Sequence, residues 1–113
     1  MGAPSGGINA ARRMTPRFVF RPAARDELTE ARDWYESQRV GLGGELIAAI
    51  DAAINRIGAH PELYPEVQPD LRRAVLSNLP YSVFYRVQPQ VVEILAIFHH
   101  RRDPRVWQAR AAV

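Results

Sequence analysis

The chain runs in two periods, one helical and one strand-like. From Pro22 onward, Ala24, Leu28, Ala31 and Tyr35 recur at helical spacing, with Trp34 widening the stripe and Arg25, Glu30, Asp33 and Glu36 left for water. That pattern predicts an amphipathic helix. Pro22 suits its first turn, where the missing N–H costs nothing. Asp26 and Glu27 then fall near the positive end of the helix dipole. The helix is expected to end near 37–39, because Gly41, Gly43 and Gly44 punctuate the chain soon afterwards. A second stripe of Leu42, Leu46, Ala49, Ile50, Ala53 and Ile57, joined by Ile47 and Ile54, predicts a helix over about 42–59, stopped by Gly58 and Pro61. The short glycine-bearing link between the two makes an antiparallel hairpin the natural arrangement.

The rest of the chain has the period of strands. Arg17 to Arg21 is a short strand candidate with Phe18 and Phe20 on one side. Residues 60–69 carry three prolines and read as a loop pinned to the body by Leu63, Tyr64 and Val67. Runs at about 71–77, 81–87 and 91–99 are strand length, and the links Asn78-Leu79-Pro80 and Gln88-Pro89-Gln90 suit hairpins, so an antiparallel meander is expected. In the second run Tyr81, Val83, Tyr85 and Val87 share a face, with Ser82, Phe84 and Arg86 on the other. The third is apolar nearly throughout, as a strand covered on both faces would be. Asp103-Pro104 resembles a helix start, with Asp as cap and Pro at the first position, so 104–110 is expected to form a short terminal helix. The fold class is therefore α+β: an N-terminal strand, an antiparallel helical hairpin packed on a small twisted antiparallel sheet, and a short C-terminal helix. Residues 1–15, rich in Gly, Ala, Pro and Ser, read as a disordered extension, and 16–113 as one domain. Met14 offers an alternative start.

Charge sorts by segment. Residues 1–24 hold four arginines and no acid, residues 25–70 four arginines against ten acids, and residues 71–113 seven arginines against two acids. A chain polarised in this way suits an acidic macromolecular partner met through one face. All 15 basic residues are arginine, so no amine nucleophile exists, whereas guanidinium forks suit phosphate and carboxylate. The absence of cysteine excludes disulfides, thiol nucleophiles and thiolate metal sites, and is compatible with the cytoplasm. No apolar run approaches the roughly 20 residues that span a bilayer, and no signal-peptide stretch opens the chain.

Candidate chemistry is sparse. His99 and His100 point to opposite faces if both stay on the strand, which disfavours a shared metal ion, and no cofactor is implied. Gly41-Leu42-Gly43-Gly44 lacks the Lys-Ser/Thr of a phosphate loop and reads as a helix–helix turn. Glu45 and Asp51 lie among other acids, with nothing to separate their pKa values, so solvation is the better account of them. The basic end of the sheet is stronger. Arg73 alternates along one strand, Arg101 and Arg102 lie just past the third strand beside His99, and Arg105 follows. Tyr81, Tyr85 and Trp107 read as packing aromatics.

The motifs Phe20-Arg-Pro-Ala-Ala-Arg-Asp-Glu-Leu28, Pro61-Glu-Leu-Tyr-Pro65, Leu71-Arg-Arg-Ala-Val-Leu76, Leu79-Pro-Tyr-Ser-Val-Phe-Tyr-Arg86 and Ile94-Leu-Ala-Ile-Phe-His-His-Arg-Arg-Asp-Pro104 resemble the ParE family of the ParE/RelE superfamily of bacterial type II toxin–antitoxin systems. The resemblance covers about residues 17–107. It implies a toxin neutralised by a cognate antitoxin whose C-terminal segment wraps it, in complexes of heterotetramer size or larger formed through antitoxin dimerisation. RelE-like members cut messenger RNA on the ribosome; ParE-like members poison DNA gyrase. Matched to the nuclease pattern, Arg101 falls on one catalytic arginine and Arg73 on one of two basic positions. Val75 occupies the other, Ser82 stands for a second arginine and Trp107 for a terminal tyrosine. Valine supplies neither charge nor proton, serine no cation, and tryptophan no comparable acid, so RNA cleavage would need His99 or His100 as a substitute. The expectation is a gyrase-binding toxin without catalytic residues, contacting target or antitoxin through Arg73, Arg101, Arg102 and His99, with Trp107 as apolar anchor. The alternative is a ribosome-dependent mRNA endonuclease.

Overall fold

A computed structural model describes residues 16–111, so the expected extension 1–15 lies outside the described residues. Strand β1 (Arg17–Phe20) leads through extended Arg21 into helix α1 (Pro22–Gln38), which has proline in its first turn as anticipated. Helix α2 (Leu42–Ala59) follows after a three-residue link. Gly41 sits at φ 96°, a left-handed conformation that glycine adopts without the clash a Cβ would bring. The Glu36 carboxylate, from the last turn of α1, accepts hydrogen bonds from the N–H groups of Gly41 (3.0 Å) and Gly43 (3.0 Å). It thereby satisfies donors at the start of α2 that have no partner within the helix. At Gly43 the two helices touch so closely that a Cβ there would stand 2.8 Å from the Arg32 carbonyl oxygen.

The sheet has five strands in the order β1-β5-β4-β3-β2, where β2 is Glu66–Gln68, β3 Leu71–Val75, β4 Tyr81–Gln88 and β5 Val91–His99. The last three form the expected antiparallel meander. Strand β1 joins β5 in parallel, Arg17 opposite Val91 and Phe20 opposite Ile94, so the sheet is mixed at this edge. The other edge departs from expectation. The proline-rich segment read as a loop contains β2, which pairs antiparallel with β3. Pro65 and Pro69 flank this strand without interrupting it, and Asp70 makes the tight return at φ 63°, a conformation Asp tolerates better than most residues. Helix α3 (Arg105–Ala111) closes the described chain, with Asp103 Oδ1 accepting the Arg105 N–H (3.0 Å) in the anticipated capping role.

Each face of the sheet carries a core. The hairpin covers Tyr81, Val83, Tyr85, Val92, Ile94 and Ile97 with Ala24, Ala31, Leu46, Ile50, Ala53 and Ile57. Leu71, Phe84, Leu95, Ala96 and Phe98 lie on the opposite face beneath Trp107 of α3. A bulge separates the pairs Tyr85–Ile94 and Phe84–Ala96, leaving Leu95 as the extra residue. The bulge lets Ile94 and Ile97 both face the hairpin, an outcome strict alternation forbids. Two expected packing residues turn outward: Trp34 is 57% exposed and Leu63 59% exposed. Trp34 lies at the edge of the α1 stripe, and Leu63 at the apex of a turn whose grip on the core comes from Tyr64 instead.

Candidate binding surface at the basic end of the sheet

Most of the arginines that make the last third basic are spent within the fold. Arg72 pairs with Glu66 (3.6 Å) and donates to the Tyr64 carbonyl (2.6 Å). Arg86 faces Glu93 (3.6 Å) and donates to the Ala111 carbonyl (2.8 Å). Arg105 forks onto Asp103 (2.6 Å), and Arg110 binds Glu27 (3.0 Å) and the Leu95 carbonyl (2.9 Å). Arg102 donates to Glu27 (2.8 Å) and lies 4.4 Å over the Phe98 ring. Among the described residues, Arg73 and Arg101 alone of these seven have no acidic partner, and both are exposed.

Glu27 is the residue sequence reasoning misplaced. It is not a first-turn dipole residue but a part-buried acceptor, its side chain 10% exposed, receiving Arg102, Arg110 and the Ile97 N–H (3.0 Å). The signal was present: Glu27 interrupts the apolar stripe between Ala24 and Ala31, on the same helix face.

Around the C-terminal end of β5 the expected site residues come together in part. A cavity of about 250 Å³ is lined by Arg73, Ser82, His99, His100, Arg102 and Trp107, with Phe84 and Phe98 behind them; Arg101 is not among its lining residues. His100 has left the strand into the following turn, so the two histidines share this cavity rather than opposite faces. Ser82, 1% exposed, holds the His100 ring through a 2.9 Å hydrogen bond to Nε2. His99 accepts the Arg101 N–H at Nδ1 (3.0 Å). Burial first, then the charges of Arg101 and His100, hold His99 below the ordinary histidine pKa, so its ring is neutral at neutral pH, as an accepting Nδ1 requires. Trp107 is 9% exposed and stacked on Phe84 at 4.3 Å. Its indole floors the cavity and fastens α3; it does not stand out as an anchor. Val75 is 52% exposed and adds no chemistry beside Arg73.

A second cleft, about 360 Å³, opens between α1 and the end of β5, lined by Glu27, Glu30, Trp34, Tyr81, Ile97 and His99. Among the described residues no group of three or more His, Cys, Asp or Glu side chains is placed to hold a metal ion. No helix among them is long and apolar enough to cross a membrane.

A strand, a helical hairpin, an antiparallel meander and a short closing helix, in that order, are the arrangement expected of a small ParE/RelE-type domain. The model of the family described as "ParE toxin of type II toxin-antitoxin system, parDE" matches residues 18–104, and the chain belongs to that family. Among solved structures, a chain from the "Chromosomal ParDE TA system from P. aeruginosa" is similar at 17% identity and a TM-score of 0.56, over 76% of this chain and 97% of that one. At that identity the likeness is one of fold. No curated protein matches.

Proposed function

We propose that this toxin arrests growth by binding DNA gyrase, that a cognate antitoxin neutralises it, and that both events take place in the cytoplasm. The observation that carries the reading is the pairing state of the arginines. Arg73 and Arg101 are exposed and uncommitted, whereas the positions that would complete a nuclease hold exposed Val75, buried Ser82 and buried Trp107. Guanidinium groups free of internal partners are suited to gripping a carboxylate or phosphate on a target. Arg102 belongs to the fold first, and His99 to the cavity wall. The antitoxin is expected to cover the β1 or β2 edge with an added strand and the exposed Trp34 with an apolar side chain. Antitoxin dimerisation then places two toxin chains in one heterotetramer.

One observation favours the nuclease alternative: His100, oriented by Ser82, sits in a cavity with Arg73 and Arg102, and an imidazole there can exchange protons. Two assays with purified protein separate the readings. Loss of supercoiling with accumulation of cleaved DNA, abolished by Arg73→Glu with Arg101→Glu, supports gyrase binding. Discrete cuts in messages on translating ribosomes, with supercoiling untouched, would establish the alternative.

A further inference from the structure

The cavity at the end of β5 is electrostatically one-sided. Its walls carry Arg73, Arg102, His99 and His100, and no carboxylate lines it. Two acids lie close by and both are engaged: Glu27 by Arg102 and both terminal nitrogens of Arg110, and Asp103, between the lining residues Arg102 and Pro104, by Arg105. At about 250 Å³ the space is too small for a folded segment of a partner and ample for a tetrahedral anion with part of its substituent.

Its donors are also fixed in advance. Arg102 is clamped between Glu27 (2.8 Å) and the Phe98 ring (4.4 Å), so its remaining N–H groups are presented without further ordering. Ser82 holds the His100 ring from behind at 2.9 Å. Immobilising a side chain on binding costs conformational entropy, and that cost is already met at both positions. Arg73 is the one mobile cation, exposed at the mouth, with no acid to hold it elsewhere among the described residues. A carboxylate offers two oxygens in a plane. A phosphoryl group offers up to four in a tetrahedron and so engages donors converging from β3 and from two positions in the turn after β5.

We propose that this cavity is a phosphoryl-binding site, in which Arg73 and Arg102 neutralise the anion and His100, positioned by Ser82, supplies a further hydrogen bond. The ligand is a phosphate carried either in a nucleic-acid strand or on a mononucleotide. The inference stands on the cavity and not on gyrase being the target.

The test is a titration of the full chain, followed by the ring signals of His99, His100 and Trp107 in NMR spectra. The probes are inorganic phosphate, a nucleoside monophosphate, a single-stranded oligonucleotide without terminal phosphates, and acetate. The three phosphate-bearing probes are expected to move His100 and Trp107 at saturating concentration, and acetate to do so at least tenfold more weakly. Arg73→Gln is expected to weaken phosphate binding about tenfold, or roughly 1.4 kcal/mol. Ser82→Ala is expected to weaken it about threefold and broaden the His100 signals. Arg39→Gln removes an equal charge at the hairpin turn and is expected to change nothing. Binding of the oligonucleotide assigns the source to a strand; binding confined to phosphate and the monophosphate assigns it to a mononucleotide. The proposal is overturned if no phosphate probe shifts these signals, if acetate binds as well, or if Arg39→Gln matches Arg73→Gln. Failure of phosphate binding alongside gyrase inhibition that depends on Arg73 would remove this site and leave the proposed function standing.

Discussion

Among the described residues, strand β5 has no strand neighbour on its outer side beyond Ile94, because β1 ends at Phe20 and the chain turns into α1. Unpaired backbone at that edge is costly unless other groups satisfy it. Glu27 accepts the Ile97 N–H and Arg110 donates to the Leu95 carbonyl, so two side chains complete the ladder where the strand stops. Their mutual ion pair fixes both. Removing one member of this part-buried pair leaves the other charged and poorly matched, at a cost of about 2 kcal/mol, below that of a fully buried pair. Glu27→Ala is therefore expected to lower the unfolding free energy by about that amount in urea titrations, with Glu27→Gln near half of it because the amide oxygen still accepts from Ile97. Tyr85 carries a different liability. Its hydroxyl donates to the Pro61 carbonyl (2.8 Å), and burial pushes its pKa up to about 12. The unfolded chain loses this proton near pH 10, the folded chain two units later. Stability attributable to Tyr85 is thus complete below pH 10 and drains away as pH rises through 12, by about 3 kcal/mol. Tyr85→Phe is expected to give a flatter alkaline limb in a plot of unfolding midpoint against pH, together with a loss of about 1 kcal/mol at pH 7 from the missing hydrogen bond. A variant with the wild-type alkaline slope would refute this assignment.

The helices carry a test in which neighbouring positions move in opposite directions. A methyl group at Gly43 would meet the Arg32 carbonyl oxygen at 2.8 Å and Glu36 Oε1 at 2.9 Å, whereas at Gly44 nothing lies within 4 Å. Gly43→Ala must push α1 and α2 apart and is expected to cost about 1–3 kcal/mol. Gly44→Ala only restricts the unfolded chain and is expected to stabilise by about 0.5 kcal/mol. Thermal unfolding of the two variants on either side of wild type would confirm the close approach; two stabilised variants would disprove it. From sequence this segment reads as a glycine-bearing turn and nothing finer, because spacing cannot distinguish a glycine needed for contact from one needed for nothing. Other elements were legible to differing degrees. Helical periodicity and Pro22 located α1 and α2, since both helices bury one stripe against one sheet face. The meander followed from strand-length runs with short links. Strand β2 was hidden because Pro65 and Pro69 bracket only three residues, and prolines at strand ends look like prolines in a loop. The bulge at Leu95 was hidden because an apolar run buried on both faces has no alternation to break.

Across the whole molecule, composition overstated the charge available to a partner and misplaced part of it. Segment counts record arginines and acids but not the pairings that form between distant segments. Glu27, 75 residues from Arg102 and 83 from Arg110, cancels charge that a reading by segment assigns to the rim. Arg73 and Arg101 remained legible as candidate contacts because each lies at a strand position or turn facing outward, where no acid from the hairpin reaches. Arg102 and Trp107 were less legible, because Arg102 is tied to Glu27 and Phe98 and Trp107 is buried on Phe84, pairings that no local pattern encodes. Effects on stability and on target binding should therefore separate. Arg73→Glu with Arg101→Glu changes the net charge by four units without breaking an ion pair seen among the described residues, and surface changes of that kind stay within about 0.5 kcal/mol. The double variant is expected to unfold at the wild-type midpoint while losing toxicity in cells, and wild-type target binding is expected to weaken between low and physiological salt as exposed charges are screened. Arg102→Glu instead sets two carboxylates together beside Ile97 and is expected to destabilise the fold outright. Were Arg73→Glu with Arg101→Glu as toxic as wild type and equally stable, the free arginines would have no part in gripping the target. The exposed Trp34 and its cleft on the hairpin side would then be the surface left to do so.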